Sequence, residues 1–303
     1  MSACSVSGNS AGRGGGIAFG TAVNSLLSGN QALSSGGGAY ASEMSDCILG
    51  YNLASNGGGA GAGTLNNCTL VANTATVAGG GAFSATLNNC IIQYNSCTAS
   101  SNYTQCHLNY CCTTPLPSSG WGNISNYPAF VNLGGADFHL QPTSPCINSG
   151  DNSYVTTPAD FDGAARIAGG TVDIGAYEAQ FPSSVISYAW LQQYGLPTDG
   201  SADYVDSDRD GMNNWMEWQA GTDPTNPKSV LRIVVAHAGR PGVTVTWQSV
   251  TNRSYFLQRA VALCESAPFQ TVATGIAGQA ISTSWRDTNA AGAGPFFYRV
   301  GVQ

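Results

Sequence analysis

Charge is what this sequence has least of. Asp, Glu, Lys and Arg make up 9% of its 303 residues, and before Asp137 the only ones are Arg13, Glu43 and Asp46. That poverty excludes a coiled coil and a charge-rich disordered chain. The net charge is -7, and no stripe of Lys or Arg exists, so the electrostatic footprint of a nucleic-acid binder is missing. No apolar run is long enough to span a bilayer. Met1-Ser2-Ala3-Cys4 has no charged region and apolar core before it, so it is not the end of a signal peptide. The three histidines are scattered and no Cys-x-x-Cys-His occurs, which argues against a haem or zinc cluster.

Glycine and asparagine are what the chain has instead, and both are periodic. Asn9, Asn30, Asn52, Asn73 and Asn95 follow one another at 21, 22, 21 and 22 residues, and triplets at Gly14–Gly16, Gly36–Gly38, Gly57–Gly59 and Gly79–Gly81 keep step. Two columns with one period define a stacked repeat. A repeat of 21–22 residues is too short for a helix pair and fits one rung of a parallel β-helix, with glycine at the corners. Short apolar runs such as Cys47-Ile48-Leu49 and Cys90-Ile91-Ile92 supply the strands.

Stacking brings equivalent residues to roughly 4.8 Å, so each column becomes a ladder. Cys4, Ser25, Cys47, Cys68 and Cys90 form one such column. The reading is an inward row of small side chains, although vertical disulfides between rungs stay open on Cα separation alone. The asparagines read as a ladder that satisfies turn backbone. Ten cysteines favour an oxidising, extracellular setting. Cys97, Cys106, Cys111, Cys112 and Cys146 are the disulfide candidates because they leave the column; Cys264 stands alone. Cys4 opens its column, so the chain starts part-way into a rung, as a processed piece would or one covered by another molecule.

Residues 96–181 lose the strict period. They carry Asp137-Phe138-His139-Leu140-Gln141-Pro142, Ser144-Pro145-Cys146-Ile147-Asn148-Ser149-Gly150-Asp151, Asp160-Phe161-Asp162-Gly163 and Val172-Asp173-Ile174-Gly175-Ala176-Tyr177-Glu178. With the repeats, these motifs resemble bacterial right-handed parallel β-helix surface proteins of the choice-of-anchor Q type. The resemblance implies a secreted or cell-surface β-helix over residues 1–181, with a closing segment at its C-terminal end. Asp160, Asp162, Asp173 and Glu178 around Arg166 could be a paired-carboxylate site, but they read better as a structural salt-bridge and turn network.

Residues 182–228 read as a helix–loop–helix connector holding the sharpest motif of the chain. Asp206-Ser207-Asp208-Arg209-Asp210-Gly211-Met212-Asn213-Asn214-Trp215-Met216-Glu217 matches Asp-x-Asp-x-Asp-Gly with Glu at position twelve. Asp206, Asp208 and Asp210 would aim oxygens at one centre, and Gly211 would permit the bend. Met212 would offer its carbonyl, Asn214 a ligand or water bridge, and Glu217 a bidentate carboxylate. Calcium is the ion for such a cage. Asp199, Asp203 and Asp223 could serve a second, less regular site. The segment resembles thrombospondin type 3 and dockerin-like repeats, with one loop where a dockerin has two. Residues 229–303 alternate in about six strands, a small β-sandwich similar to fibronectin type III. Trp247 and Trp285 read there as core rather than glycan contacts.

The expected fold is therefore mainly β: parallel β-helix, short calcium-binding connector, C-terminal sandwich. The expected function is an extracellular structural or adhesive protein, calcium-stabilised, with a polysaccharide or cell-surface partner or head-to-tail assembly into fibres. The alternatives are the C-terminal part of a polysaccharide lyase or glycosidase, and a glycan-binding module. The rungs work against an enzyme, because Arg13, Glu43 and Asp46 do not assemble an acid–base pair.

Overall fold

The computed structural model describes residues 1–98, 102–239, 241–263, 268–290 and 294–303; Cys264 lies outside them. The chain is 40% strand and 7% helix, and it divides into two compact units, Met1–Ser201 and Ala202–Gln303.

The first unit is a parallel β-solenoid of about five turns. Each turn contributes to three parallel sheets. One stacks Ser5–Ser7, Leu26–Ser28, Ile48–Gly50, Thr69–Val71, Ile91–Gln93 and Cys112–Thr113. The register places Leu27, Leu49, Leu70 and Ile92 in one column. Ala22, Met44, Leu65, Leu87 and Leu108 form a second column on another sheet. All nine are buried, together with Cys47, Cys68, Cys90 and Cys111 of the cysteine column. A fully buried Leu is worth ~1.5–3 kcal/mol, so these columns carry the solenoid interior.

The glycine triplets are required by close approach as well as by the corner. Gly57 has φ +59°, but a Cβ on Gly58 would lie 2.3 Å from the Thr74 carbonyl oxygen and 2.5 Å from that of Gly80. The corner before the cysteine column uses left-handed non-glycine residues, among them Asn24, Asp46, Asn67, Asn89 and Tyr110. Short polar side chains tolerate that conformation best.

Stacking continues past the strict period. Tyr103–Thr104, His107–Asn109 and Cys112–Thr113 pair in register with the turn before them, where the sequence reads as loop from Asn102. Asn102 accepts from the Asn95 backbone at 3.1 Å and from its side chain at 3.2 Å. It thereby continues the asparagine ladder after seven residues instead of 21 or 22. Cys111 likewise continues the cysteine column, so it does not leave it.

The segment after Ala129 is a lateral strap. Leu26, Ile48, Thr69, Ile91 and Cys112 share one outward register column, and a sheet apolar on both faces must be covered on both. Ile48, Ile91 and Cys112 pack against Phe130, Phe138, Cys146, Ile174 and Ala176. The strap descends the turns in order. Asn89 donates to the Asp151 carbonyl at 2.9 Å and Asn67 to that of Tyr154 at 3.4 Å. The Ser45 and Thr156 hydroxyls meet at 2.8 Å, and Asn24 donates to the Asp160 carbonyl at 2.7 Å. The expected closing segment thus covers the side of the solenoid. Helix α1, Tyr188–Gln193, is capped by Ser187 and tied to the strap by Tyr188 N–H to the Ile147 carbonyl.

The second unit joins the acidic loop, helix α2 (Asn214–Ala220) and two three-stranded antiparallel sheets. The sheets order as Ile233–Ala238, Val243–Ser249, Ile281–Asp287 and as Gln270–Ala277, Ser254–Ala260, Phe297–Val302. Val243, Val245, Trp247, Tyr255, Leu257 and Ile276 pack between them. Trp247 is fully buried, whereas Trp285 is 39% exposed. Arg253 fastens α2 to this unit, donating to the carbonyls of Gln219 at 2.8 Å and Trp218 at 3.1 Å. The 182–228 span is therefore shared: its first part packs with the solenoid and its remainder with the sandwich. No helix among the described residues is long and apolar enough to cross a membrane.

Candidate calcium-binding loop

The loop is wound by its own carboxylates. Asp206 Oδ1 accepts from the backbone N–H of Arg209 at 2.7 Å and of Asp210 at 3.2 Å, and its Oδ2 from that of Gly211 at 3.0 Å. Asp208 Oδ1 accepts from Asp210 N–H at 3.2 Å and Asp210 Oδ1 from Met212 N–H at 2.8 Å. Arg209 and Gly211 take φ of +67° and +98°, which turns the chain back toward α2. Asn213 caps that helix through Met216 N–H at 2.9 Å, and left-handed Gly221 ends it. The cap sets the first turn of α2, which carries Glu217; the cluster of the three aspartates does not include it.

The outcome is a cluster of oxygens with unused capacity. Ligand oxygens of Asp206, Asp208 and Asp210 lie within 4.8 Å of one another. Glu217 is fully buried; its Oε1 accepts the Thr222 hydroxyl at 3.3 Å. Asp208 Oδ2, Asp210 Oδ2 and Glu217 Oε2 are buried with no hydrogen-bond donor. Burial, then the charges of Asp208 and Asp210, push the Glu217 carboxyl up to about 7. Burial and Asp210 raise that of Asp208. Buried carboxylate oxygens without donors are costly, and a hard cation removes that cost by taking several oxygens at once. The donor set fits calcium.

Asn214 has another task here. Its side chain accepts from the Ser207 hydroxyl at 2.9 Å and donates to the Ala202 carbonyl at 2.8 Å, bracing the loop from behind. The residues for a second site stay in local turns: Asp199 accepts from Ser201 and Asp223 from Thr225, and Asp203 is buried.

The acids around Arg166 have the opposite character. Asp46, Asp160, Arg166, Asp173 and Glu178 are all at most 5% exposed. Asp160 accepts from the backbone of Asp162, Ala164 and Glu178. Asp173 accepts from Asn148 and Ala179, and Glu178 from Ala168 and Asp173. Arg166 reaches Asp46 at 3.1 Å and Glu178 at 3.6 Å and donates to the carbonyls of Asp173 and Gly175 at 2.9 Å each. Asp160, Asp173 and Glu178 thus spend their oxygens on strap backbone. Asp162 belongs elsewhere, since it and Asp137 hold the two ring nitrogens of His139 at 2.7 and 2.6 Å, with the Tyr177 ring tilted 33° against it at 3.9 Å between centroids. Burial opposes the charge of His139, but the two carboxylates outweigh it and raise its affinity for protons. Asp46 as an Arg166 partner was hidden from sequence reasoning because strap docking sets that pair, and the His139 clamp because the strap's own folding brings Asp162 to it.

No protein-family model matches the chain, and no curated protein matches it.

Proposed function

We propose that the chain is an extracellular calcium-binding structural or adhesive protein, in which the ion orders the 206–217 loop against the C-terminal sheets. The observation that carries the reading is the set of three buried, donor-free carboxylate oxygens on Asp208, Asp210 and Glu217. Asp206 and the Met212 carbonyl complete the ligand set. Calcium would neutralise charge that the loop gathers beside Arg209 alone. The closing motifs and the periodic rungs support a bacterial surface protein of the choice-of-anchor Q kind, and the six-stranded unit a fibronectin type III-like module. A non-enzymatic role is supported by Asp46, which is buried and held by Arg166 and Thr157.

Calorimetric titration of the full chain with calcium, beside thermal melts with calcium and with chelator, tests the reading. Saturating calcium at a hundred times Kd should stabilise the second unit by about 2.7 kcal/mol. Absence of heat and of any melting shift, or an equal response to magnesium, would overturn it, since magnesium demands a tighter octahedral shell.

A further inference from the structure

Six of the described cysteines fall into two kinds by what their sulfur atoms touch. Cys47, Cys68, Cys90 and Cys111 each donate to the carbonyl two residues earlier, at 3.1, 3.2, 3.2 and 3.3 Å. Cys68 and Cys90 also accept the backbone N–H of the column member one turn before, at 3.4 Å. Ser25 makes the same two bonds with its hydroxyl, to Val23 at 2.7 Å and from Cys4 N–H at 3.1 Å. A column that accepts serine with its bonding intact is a hydrogen-bonding column. A vertical disulfide would take away the protons it uses.

Cys112 and Cys146 are unlike these. Cys112 faces outward from the last solenoid strand, and Cys146 comes from the strap that covers it. Both are fully buried in one core cluster. Cys112 donates to the Asn126 carbonyl at 3.0 Å, the Cys146 thiol is a hydrogen-bond neighbour of Cys112, and both lie close to Tyr94. No turn geometry obliges two thiols from separate segments to meet there.

We propose that Cys112 and Cys146 form a disulfide that ties the strap to the last turn. The oxidant is a disulfide of the glutathione class. One cysteine thiolate attacks it and releases one oxidant thiol; the second thiolate then attacks the mixed disulfide and releases the other. The cysteine pair gives up two protons and two electrons, and the oxidant leaves as two thiols. Exchange precedes docking of the strap, because burial then closes both sulfurs to reagents. The bond closes the loop between residues 112 and 146 and removes unfolded conformations in which the strap is detached. It depends on the extracellular reading only for its oxidant, which the test supplies directly.

The full chain, as wild type and as Cys111→Ser, is refolded in a glutathione redox buffer, denatured without reductant, alkylated and digested with chymotrypsin. Trypsin cannot serve, since no Lys or Arg occurs between Arg13 and Arg166. A peptide carrying Cys112 joined to one carrying Cys146, with Cys47, Cys68 and Cys90 alkylated, is the expected result. Alkylation of both residues, or a link from either to another cysteine, overturns the proposal. Melting provides the second readout: reductant should lower the midpoint of wild type by several degrees and leave Cys146→Ser unmoved. Equal midpoints for wild type with and without reductant, or a reductant-sensitive Cys146→Ser, also overturn it.

Discussion

Replacing Arg166 with Met should detach the strap from the solenoid at its most buried point. The guanidinium is 1% exposed and bridges Asp46, on the third turn, to Glu178 and to two strap carbonyls. Met fills much of the volume but leaves four buried carboxyls without a cation. Removing one partner of a buried pair costs ~3–5 kcal/mol. Part of that returns if the carboxyls take up protons, which Asp46 is disposed to do, its carboxyl being pushed up to about 6 mainly by burial. The net loss should be about 3 kcal/mol at neutral pH, smaller at pH 5 and larger at pH 8. In a unit of this size that lowers the melting midpoint on the order of 10 °C. Denaturant melts at the three pH values measure it, and Asp46→Asn in the Arg166→Met background should recover part of the loss. A cost below ~1 kcal/mol, or one independent of pH, would refute the argument that Arg166 acts by compensating buried charge.

The wild-type solenoid unit should itself lose stability as pH rises. Burial, ahead of every other cause, pushes Asp46 up to about 6, Asp173 to about 7 and Glu178 to about 9. The folded state therefore holds protons that the unfolded chain releases near pH 4. The contribution is full below that and is lost as pH climbs through 6 to 9. His139, also raised, acts in the same direction, and Asp46 alone accounts for ~3 kcal/mol. A melting midpoint higher at pH 9 than at pH 5 would contradict this. Cys68→Ser should change stability by less than ~1 kcal/mol and Cys68→Ala cost ~1–3 kcal/mol, because only alanine leaves Cys47 N–H without an acceptor; chemical denaturation of the two variants compares them. Glu217→Gln should abolish the calcium-induced melting shift without lowering the calcium-free midpoint, since it removes a buried unpaired carboxylate; a surviving shift would move the site elsewhere.

The repeat was legible because its columns are chemical necessities. Asn52 shows why: its side-chain oxygen holds the Asn30 backbone at 2.9 Å, and its amide donates to Leu27 and Asn73 at 2.9 and 3.0 Å. No other residue type offers that donor and acceptor pair at that length. The gathering of Asp206, Asp208 and Asp210 was legible for a similar reason, each acid accepting from the loop backbone at its own spacing. Asn102 was missed because it enters its ladder out of count, seven residues after Asn95; Cys111 keeps the 21-residue offset from Cys90 and was missed because the glycine triplet and the asparagine that mark each earlier turn are gone from its own. The strap was missed because its signal is split. Leu26, Ile48 and Ile91 look like the second residue of an ordinary apolar run, and only the register shows that they share an outer column. Asn214 fits its position in the motif, yet the need to hold Ser207 and Ala202 engages its side chain, which spacing does not reveal.

The strap changes what kind of repeat protein this is. In a simple array each turn touches only its neighbours, so stability accumulates turn by turn and the ends fray independently. Here a single segment is bonded to Asn24, Ser45, Asp46, Asn67 and Asn89 in succession, and it covers the outer residues of the same turns. A turn cannot leave the stack without breaking its own strap contact, and a detached strap exposes Ile48, Ile91 and Cys112 together. Local opening and global unfolding are thereby linked. The acids buried around Arg166 sit at the joint, where Asp160, Asp173 and Glu178 fix the backbone turns of the strap and one cation anchors them to Asp46 on the third turn.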